Sequence, residues 1–282
     1  MKKKINIIAK NNISIIDCLK EEGYAKNKIK TYIKLGFIYV NNKRITKLPI
    51  MLNIGDIITI DENISTSTKF KIIYEDDNYL VVDKEAGLLT ISTSNQNKNF
   101  EETLYRQVRE YLNKKGEYAF IVNRIDKETS GLVIFVKNES LKEKLQANWN
   151  NIVKKRGYIA VVSGSITKKG RIENYLYEDK KTFTHSTKIG GKLAITNYYP
   201  IKINDKYTML DVNIETGRKN QIRVHMTEMN HPIVGDKKYY SKDNSLKRLA
   251  LHHYEISLID PITNNVLTFK SNIPKEFYVL FN

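Results

Sequence analysis

The residues best placed for chemistry lie between positions 120 and 137. Two apolar runs, 120–122 and 132–136, bracket a polar loop that carries Arg124, Asp126, Lys127, Glu128, Thr129, Ser130 and Gly131. A loop mounted on sheet strands holds a carboxylate rigidly. Asp126 offers such a carboxylate, and Glu128 makes a carboxylate pair with it of the kind that glycosidic chemistry uses. The same residues also suit an ordinary polar turn, with 129–131 as its punctuation. Spacing alone does not choose between these. Elsewhere the reactive side chains are sparse. Cys18 is the single cysteine and sits among Ile15, Ile16 and Leu19, which suits a small core residue better than a nucleophile. His185, His225, His231, His252 and His253 show no metal-ligand spacing, so no metal is expected.

The charge balance narrows the partner. Of 282 residues, 47 are Lys or Arg and 31 are Asp or Glu, a net charge of +16. Such an excess favours a polyanion, either nucleic acid or an anionic membrane surface. No apolar stretch approaches the roughly 18 residues of a spanning helix. The opening Met1-Lys2-Lys3-Lys4 looks like the start of a secretory signal, but the apolar part stops at Lys10 and already contains Asn6, so no signal is expected. The apolar share of 41% supports a real core and excludes wholesale disorder. With one cysteine, the expected compartment is the reducing cytoplasm. A carbohydrate hydrolase has no use for this charge, which leaves a nucleic-acid enzyme or a non-catalytic RNA-binding protein.

Two regions must position the loop. Residues 1–62 form a small basic block. It contains a helix capped by Ser14, a second helix over about 25–35, and short strands at 37–40 and 55–60. Lys26, Lys30 and Lys34 recur every fourth residue on the second helix, beside the apolar stripe of Ile29, Tyr32 and Ile33. Arg44 lies in the turn after the first short strand. These four are the candidate phosphate contacts of the block, against a plain solvated helix face. Residues 63–69 read as a Ser/Thr-rich linker. From residue 70 to 282, strand-like runs dominate at 70–74, 79–82, 158–162, 194–203, 207–214, 249–259 and 266–269. Helical patterns appear at 139–149 and from about 220 to 229. The expected class is α+β, with a large mixed or antiparallel sheet and flanking helices.

The loop sequence NRIDKETSGL (residues 123–132) resembles the HRLDxxTSGL signature of the RluA family of RNA pseudouridine synthases. Further stretches resemble that family in order. They are YEDDNYLVVDKEAGL (74–88), KRGYIAVVSG (155–164), TGRKNQIRVH (216–225), HPIVGD (231–236) and the Leu251-His252 pair. Residues 13–60 resemble the RNA-binding domain named after ribosomal small-subunit protein four. Three positions depart from the pattern: Asn123 and Asn220 stand for histidines, and Glu85 for a proline.

The resemblance implies an RNA pseudouridine synthase acting without cofactor or metal on ribosomal large-subunit RNA, with transfer RNA as the alternative. It implies catalytic roles for Asp126 as the carboxylate, Arg223 as the cation that keeps it ionised, and Tyr158 as the ring that stacks on the target base. Arg124 is the implied wedge that fills the gap left by an extruded uridine. A monomer is expected.

Overall fold

The structure is a computed structural model that describes residues 4–35, 37–45, 48–61, 70–92, 102–180, 182–239 and 241–282. The chain divides into two compact units, Met1–Thr68 and Lys69–Asn282. The expected linker, 63–69, lies outside the described residues.

The smaller unit packs two helices on a short sheet. Its elements are β1 (Lys4–Ile8), β2 (Ile13–Ser14), α1 (Ile15–Glu21), α2 (Lys26–Leu35), β3 (Ile38–Val40), β4 (Lys43–Ile45), β5 (Met51–Leu52) and β6 (Ile57–Asp61). Ser14 caps α1 by accepting from Asp17 N–H at 3.1 Å. Ile15, Cys18 and Leu19 of α1 pack with Ile29 and Ile33 of α2 in one core. The strand order is β1-β6-β3-β4. Residues 4–8, within the stretch weighed above as a signal, form β1, with Lys4 opposite Asp61 in the ladder.

The larger unit continues with β7 (Lys71–Glu75), β8 (Tyr79–Lys84), α3 (Leu104–Asn113), β9 (Phe120–Ile121), β10 (Ser130–Val136), α4 (Glu139–Ala147), α5 (Trp149–Ile152) and β11 (Val153–Ser163). It ends with β12 (Gly170–Glu178), β13 (Thr184–Thr187), β14 (Lys192–Ile203), β15 (Tyr207–Ile214), α6 (Gln221–Glu228), β16 (Leu251–Ile259), β17 (Val266–Lys270) and α7 (Lys275–Val279). The fold is α+β, built on one large sheet in the order β13-β12-β14-β15-β11-β16-β10-β8-β7. Its ladders are antiparallel except for β10 with β16.

β10 explains why the sheet is covered on both faces. Every residue of it is buried, as a continuous apolar run in a central strand requires. Val133 and Phe135 face the core formed with Leu104, Val108 and Leu112 of α3. Leu132, Ile134 and Val136 face the core formed with Leu141 and Leu145 of α4. The helical pattern at 139–149 splits in two, because Asn148 leaves the helical conformation between α4 and α5. α3 was not anticipated, although its Leu104, Val108 and Leu112 repeat every fourth residue and Thr103 caps it.

The parallel pairing of β10 and β16 is very close. Gly131 has φ +115°, and a Cβ there would lie 2.2 Å from the carbonyl oxygen of His253. Gly131→Ala should therefore destabilise by about 4 kcal/mol, the range reserved for severe core strain. Gly87 also has positive φ, 86°, but open space around it, so Gly87→Ala should cost about 1 kcal/mol. Thermal unfolding of both variants measures the contrast, and equal losses would contradict the close approach.

Candidate active site

Asp126 is held in place through the backbone on either side of it. Ile125 is buried in the main core, and its carbonyl accepts from Thr90 Oγ1 at 2.6 Å. The Asp126 carbonyl accepts from Thr129 N–H at 3.2 Å, which closes a turn. The Lys127 carbonyl takes two bonds, from Gly87 N–H at 2.9 Å and from Lys84 Nζ at 3.0 Å. Lys84 is 1% exposed and also donates to the carbonyls of Glu85 at 2.9 Å and Leu88 at 2.7 Å. Three carbonyls match the three donors of an ammonium. Burial pulls this lysine down to about 7, against the opposing charges of Asp126 and Glu128. At the end of the loop, Ser130 Oγ shares a 2.7 Å hydrogen bond with His252 Nδ1 and accepts one from Arg248.

A cavity of about 1040 Å³ opens over this loop, and Arg124, Asp126, Tyr158 and Arg223 all line it. Four residues chosen from the sequence thus share one space. The side chains of Lys26 and Lys30 are exposed on α2 in the smaller unit. Those of Lys34 and Arg44 lie outside the described ones.

The Asp126 carboxylate forms no hydrogen bond or ion pair among the described residues. Burial pushes its carboxyl above the usual range, although Arg223, Lys238, Lys219 and Lys84 all pull the other way. Arg223 was expected to be its counter-ion. The structure instead gives Arg223 a direct partner in Asp236. Nε donates to Asp236 Oδ2 at 2.8 Å and Nη2 to Oδ1 at 2.7 Å, a buried two-pronged pair. Nη1 donates to Asn220 Oδ1 at 3.0 Å. Arg223 therefore reaches Asp126 as a field rather than as a contact.

Tyr158 is buried in β11 with one face covered. The ring of His253 stacks on it with centroids 4.4 Å apart and planes 17° from parallel. His253 Nδ1 bonds the Leu132 carbonyl at 2.8 Å. A carbonyl only accepts, so Nδ1 carries the proton, and burial lowers the imidazole pKa to about 4. His253 is a neutral plate behind Tyr158. Burial raises the phenol, which makes it a hydrogen-bond donor and stacking surface rather than a phenolate.

α6 is locked from its far side. Gln221 Nε2 donates to the Ile195 carbonyl and Thr196 Oγ1, both at 2.9 Å. His225 bonds Thr196 at 2.9 Å and Asn174 at 2.8 Å. Two of the three departures find side-chain partners. Asn123 Oδ1 accepts from Ile134 N–H at 2.7 Å, and Asn220 is the acceptor for Arg223. Lys84, Asp236, His252 and His253 were not singled out from sequence. The first three lay inside quoted motifs, and only their burial as polar residues, invisible in a sequence, marks them.

Residues 78–228 match the family model described as RNA pseudouridylate synthase. The chain belongs to this family. Ribosomal large subunit pseudouridine synthase D of Neisseria meningitidis serogroup A is 30% identical over 92% of this chain and 75% of its own length. The protein of the same name from Haemophilus influenzae is 30% identical over 92% and 86% respectively. The solved structure of Human RNA Pseudouridylate Synthase Domain Containing 1 shares the fold, with a TM-score of 0.62 at 19% identity over 78% of this chain and 89% of that one. The synthase is thus an RNA-modifying isomerase.

Two measurements test the site as drawn. An aspartate whose pKa rises on folding is favoured by the fold in its protonated form. Its stability cost appears as pH rises above the unfolded value of about 3.9 and is complete above the folded pKa. Asp126→Asn removes that cost, so the variant should have a higher Tm than the wild type at pH 7–8, with the gain vanishing towards about pH 4. A lower Tm at pH 7 would contradict the buried charge. His253→Ala opens space behind Tyr158. It should lower kcat by about tenfold or more with little change in KM for RNA, whereas His253→Phe, which keeps a ring there, should recover most of the loss. Equal kcat in all three proteins would contradict the backing role.

Proposed function

We propose that the synthase converts uridine to pseudouridine in ribosomal large-subunit RNA, as a cytoplasmic monomer that needs no cofactor or metal. The observation that carries this reading is an unpartnered carboxylate, Asp126, in a cation-lined cavity with Arg223 and Tyr158. The names of the bacterial relatives support the choice of RNA.

In the reaction, the N1–C1′ bond of uridine breaks, the uracil turns, and C1′ bonds to C5. The proton lost at C5 is balanced by one gained at N1. Positive charge builds on the sugar as the bond breaks, and the Asp126 carboxylate meets it, by attack at C1′ or by removal of a sugar proton. Arg223 lowers the cost of the ionised carboxylate. Tyr158 stacks on the uracil with its free face. The uridine must leave its stack to reach the cavity, at a cost of a few kcal/mol. Arg124, exposed at the cavity, stacks in the vacated space.

We assign the smaller unit to RNA binding, as a domain like that of ribosomal small-subunit protein four. Its first 64 residues hold twelve Lys/Arg against six Asp/Glu. Lys26, Lys30, Lys34 and Arg44 are the phosphate contacts in this assignment.

Pseudouridine mapping in cellular RNA with and without the gene tests the substrate. One or more large-subunit positions should disappear, and the Asp126→Asn form should fail to restore them. Loss confined to transfer RNA, or an unchanged map, would contradict the assignment. Removing residues 1–68 should weaken RNA affinity and flatten its salt dependence while leaving turnover at saturating RNA largely intact. An unchanged salt slope would remove the smaller unit from the RNA contact.

A further inference from the structure

Positive charge at the start of α6 exceeds what the chain neutralises there. Lys219 pairs with Glu178, and Arg223 pairs with Asp236. Lys238 has no carboxylate partner among the described residues. Its Nζ donates to the Thr182 carbonyl at 2.8 Å and lies 4.8 Å from the centre of the Phe183 ring. It also stands 5.9 Å from the centre of the Tyr239 ring, and the Arg223 guanidinium stands 5.2 Å from that same centre. Two cations thus lean on one aromatic ring. Arg218, Lys219 and Lys238 all line the cavity above Asp126. Burial and the repulsion of Lys219 and Arg223 lower the pKa of Lys238.

Asn220 adds a second, independent observation. It precedes α6 with φ 54°, in the left-handed region, and makes no side-chain cap. It lines the cavity and is 5% exposed. Its Oδ1 accepts from Arg223, and a guanidinium only donates, so the amide has one admissible orientation. That leaves Asn220 Nδ2 buried without a partner. A buried donor left unsatisfied is costly in an isolated fold and is explained by an acceptor that arrives from outside. The first backbone N–H groups of α6, the positive end of its dipole, lie beside it.

We propose that Asn220, Lys219, Lys238 and the first turn of α6 form an oxyanion subsite for one backbone phosphate next to the extruded uridine. This rests on the synthase reading above and deepens it. A phosphodiester supplies acceptor oxygens for Asn220 Nδ2 and Lys238 Nζ and a negative charge for the uncompensated lysine. The uracil ring, being neutral, supplies no such charge. The subsite adjoins the Arg223–Asp236 pair, which holds Asn220 through its Oδ1 and Lys238 through its backbone N–H, so one wall of the cavity anchors the backbone while the loop faces the sugar.

The test uses the full-length enzyme and a transcript carrying the modified uridine. Dissociation constants are measured across salt concentrations for the wild type and for Lys238→Ala, Lys238→Gln and Lys238→Arg, together with turnover at saturating RNA. The Ala and Gln forms should bind about tenfold more weakly near 0.1 M salt, with the slope of log K against log salt reduced by about 0.7 to 1. The Arg form should keep the wild-type slope. Wild-type affinity and slope in both the Ala and Gln forms, with the wild-type enzyme active, would overturn the subsite alone. A wild-type enzyme that forms no pseudouridine would overturn the reaction reading itself.

Discussion

A carboxylate is costly to keep charged away from water, and the architecture around Asp126 is arranged about that cost. The cations that offset it stand off rather than touch. A direct pair with Arg223 would hold the carboxyl low and occupy its oxygens. Asp236 takes the guanidinium instead, with two bonds in a buried pair, and Asn220 takes a third. The Asp126 oxygens stay without a hydrogen-bond partner among the described residues while Arg223, Lys238, Lys219 and Lys84 still act on their charge. This is an electrostatic preorganisation in which the positive groups are fixed before any substrate arrives.

The same constraint accounts for the sheet. β10 and β16 supply its parallel ladder, and Gly131 lets them approach where a side chain would collide with His253. Two successive residues of β16 then serve two parts of the site. His252 bonds Ser130 at the end of the carboxylate loop, and His253 bonds Leu132 and backs Tyr158. The loop and the aromatic ring are therefore referenced to one strand. Lys84 performs the matching task from β8, where its three bonds to carbonyls tie the turn after that strand to the loop.

Much of this was legible in the sequence. Alternating and continuous apolar runs located most strands of the larger unit, and the residues 207–214 coincide with β15. Asp126, Tyr158, Arg223 and Arg124 were chosen from ordered motifs and do share a cavity. What the sequence did not carry is pairwise. Nothing in the spacing of Arg223 and Asp236 says that they bond to each other. Nothing marks His253, a histidine in an apolar strand, as the plate behind Tyr158. Strand β12, with its charged and tyrosine-rich outer face, lacks the apolar run that revealed its neighbours. β1 was not read as a strand from the sequence, where residues 5–9 were weighed only as the apolar part of a signal and rejected as one; its ladder with β6 defines it.

The central claim is that the Asp126 carboxyl is raised by burial and opposed by cations that do not touch it. A carboxyl ¹³C NMR titration of the free enzyme, with the resonance assigned by its absence in Asp126→Asn, measures this directly. The structure predicts a midpoint clearly above about 3.9, the value of an unperturbed aspartate, and a further rise in Lys238→Ala. A midpoint at or below that value would mean a direct ion pair controls the carboxylate, and would contradict the account.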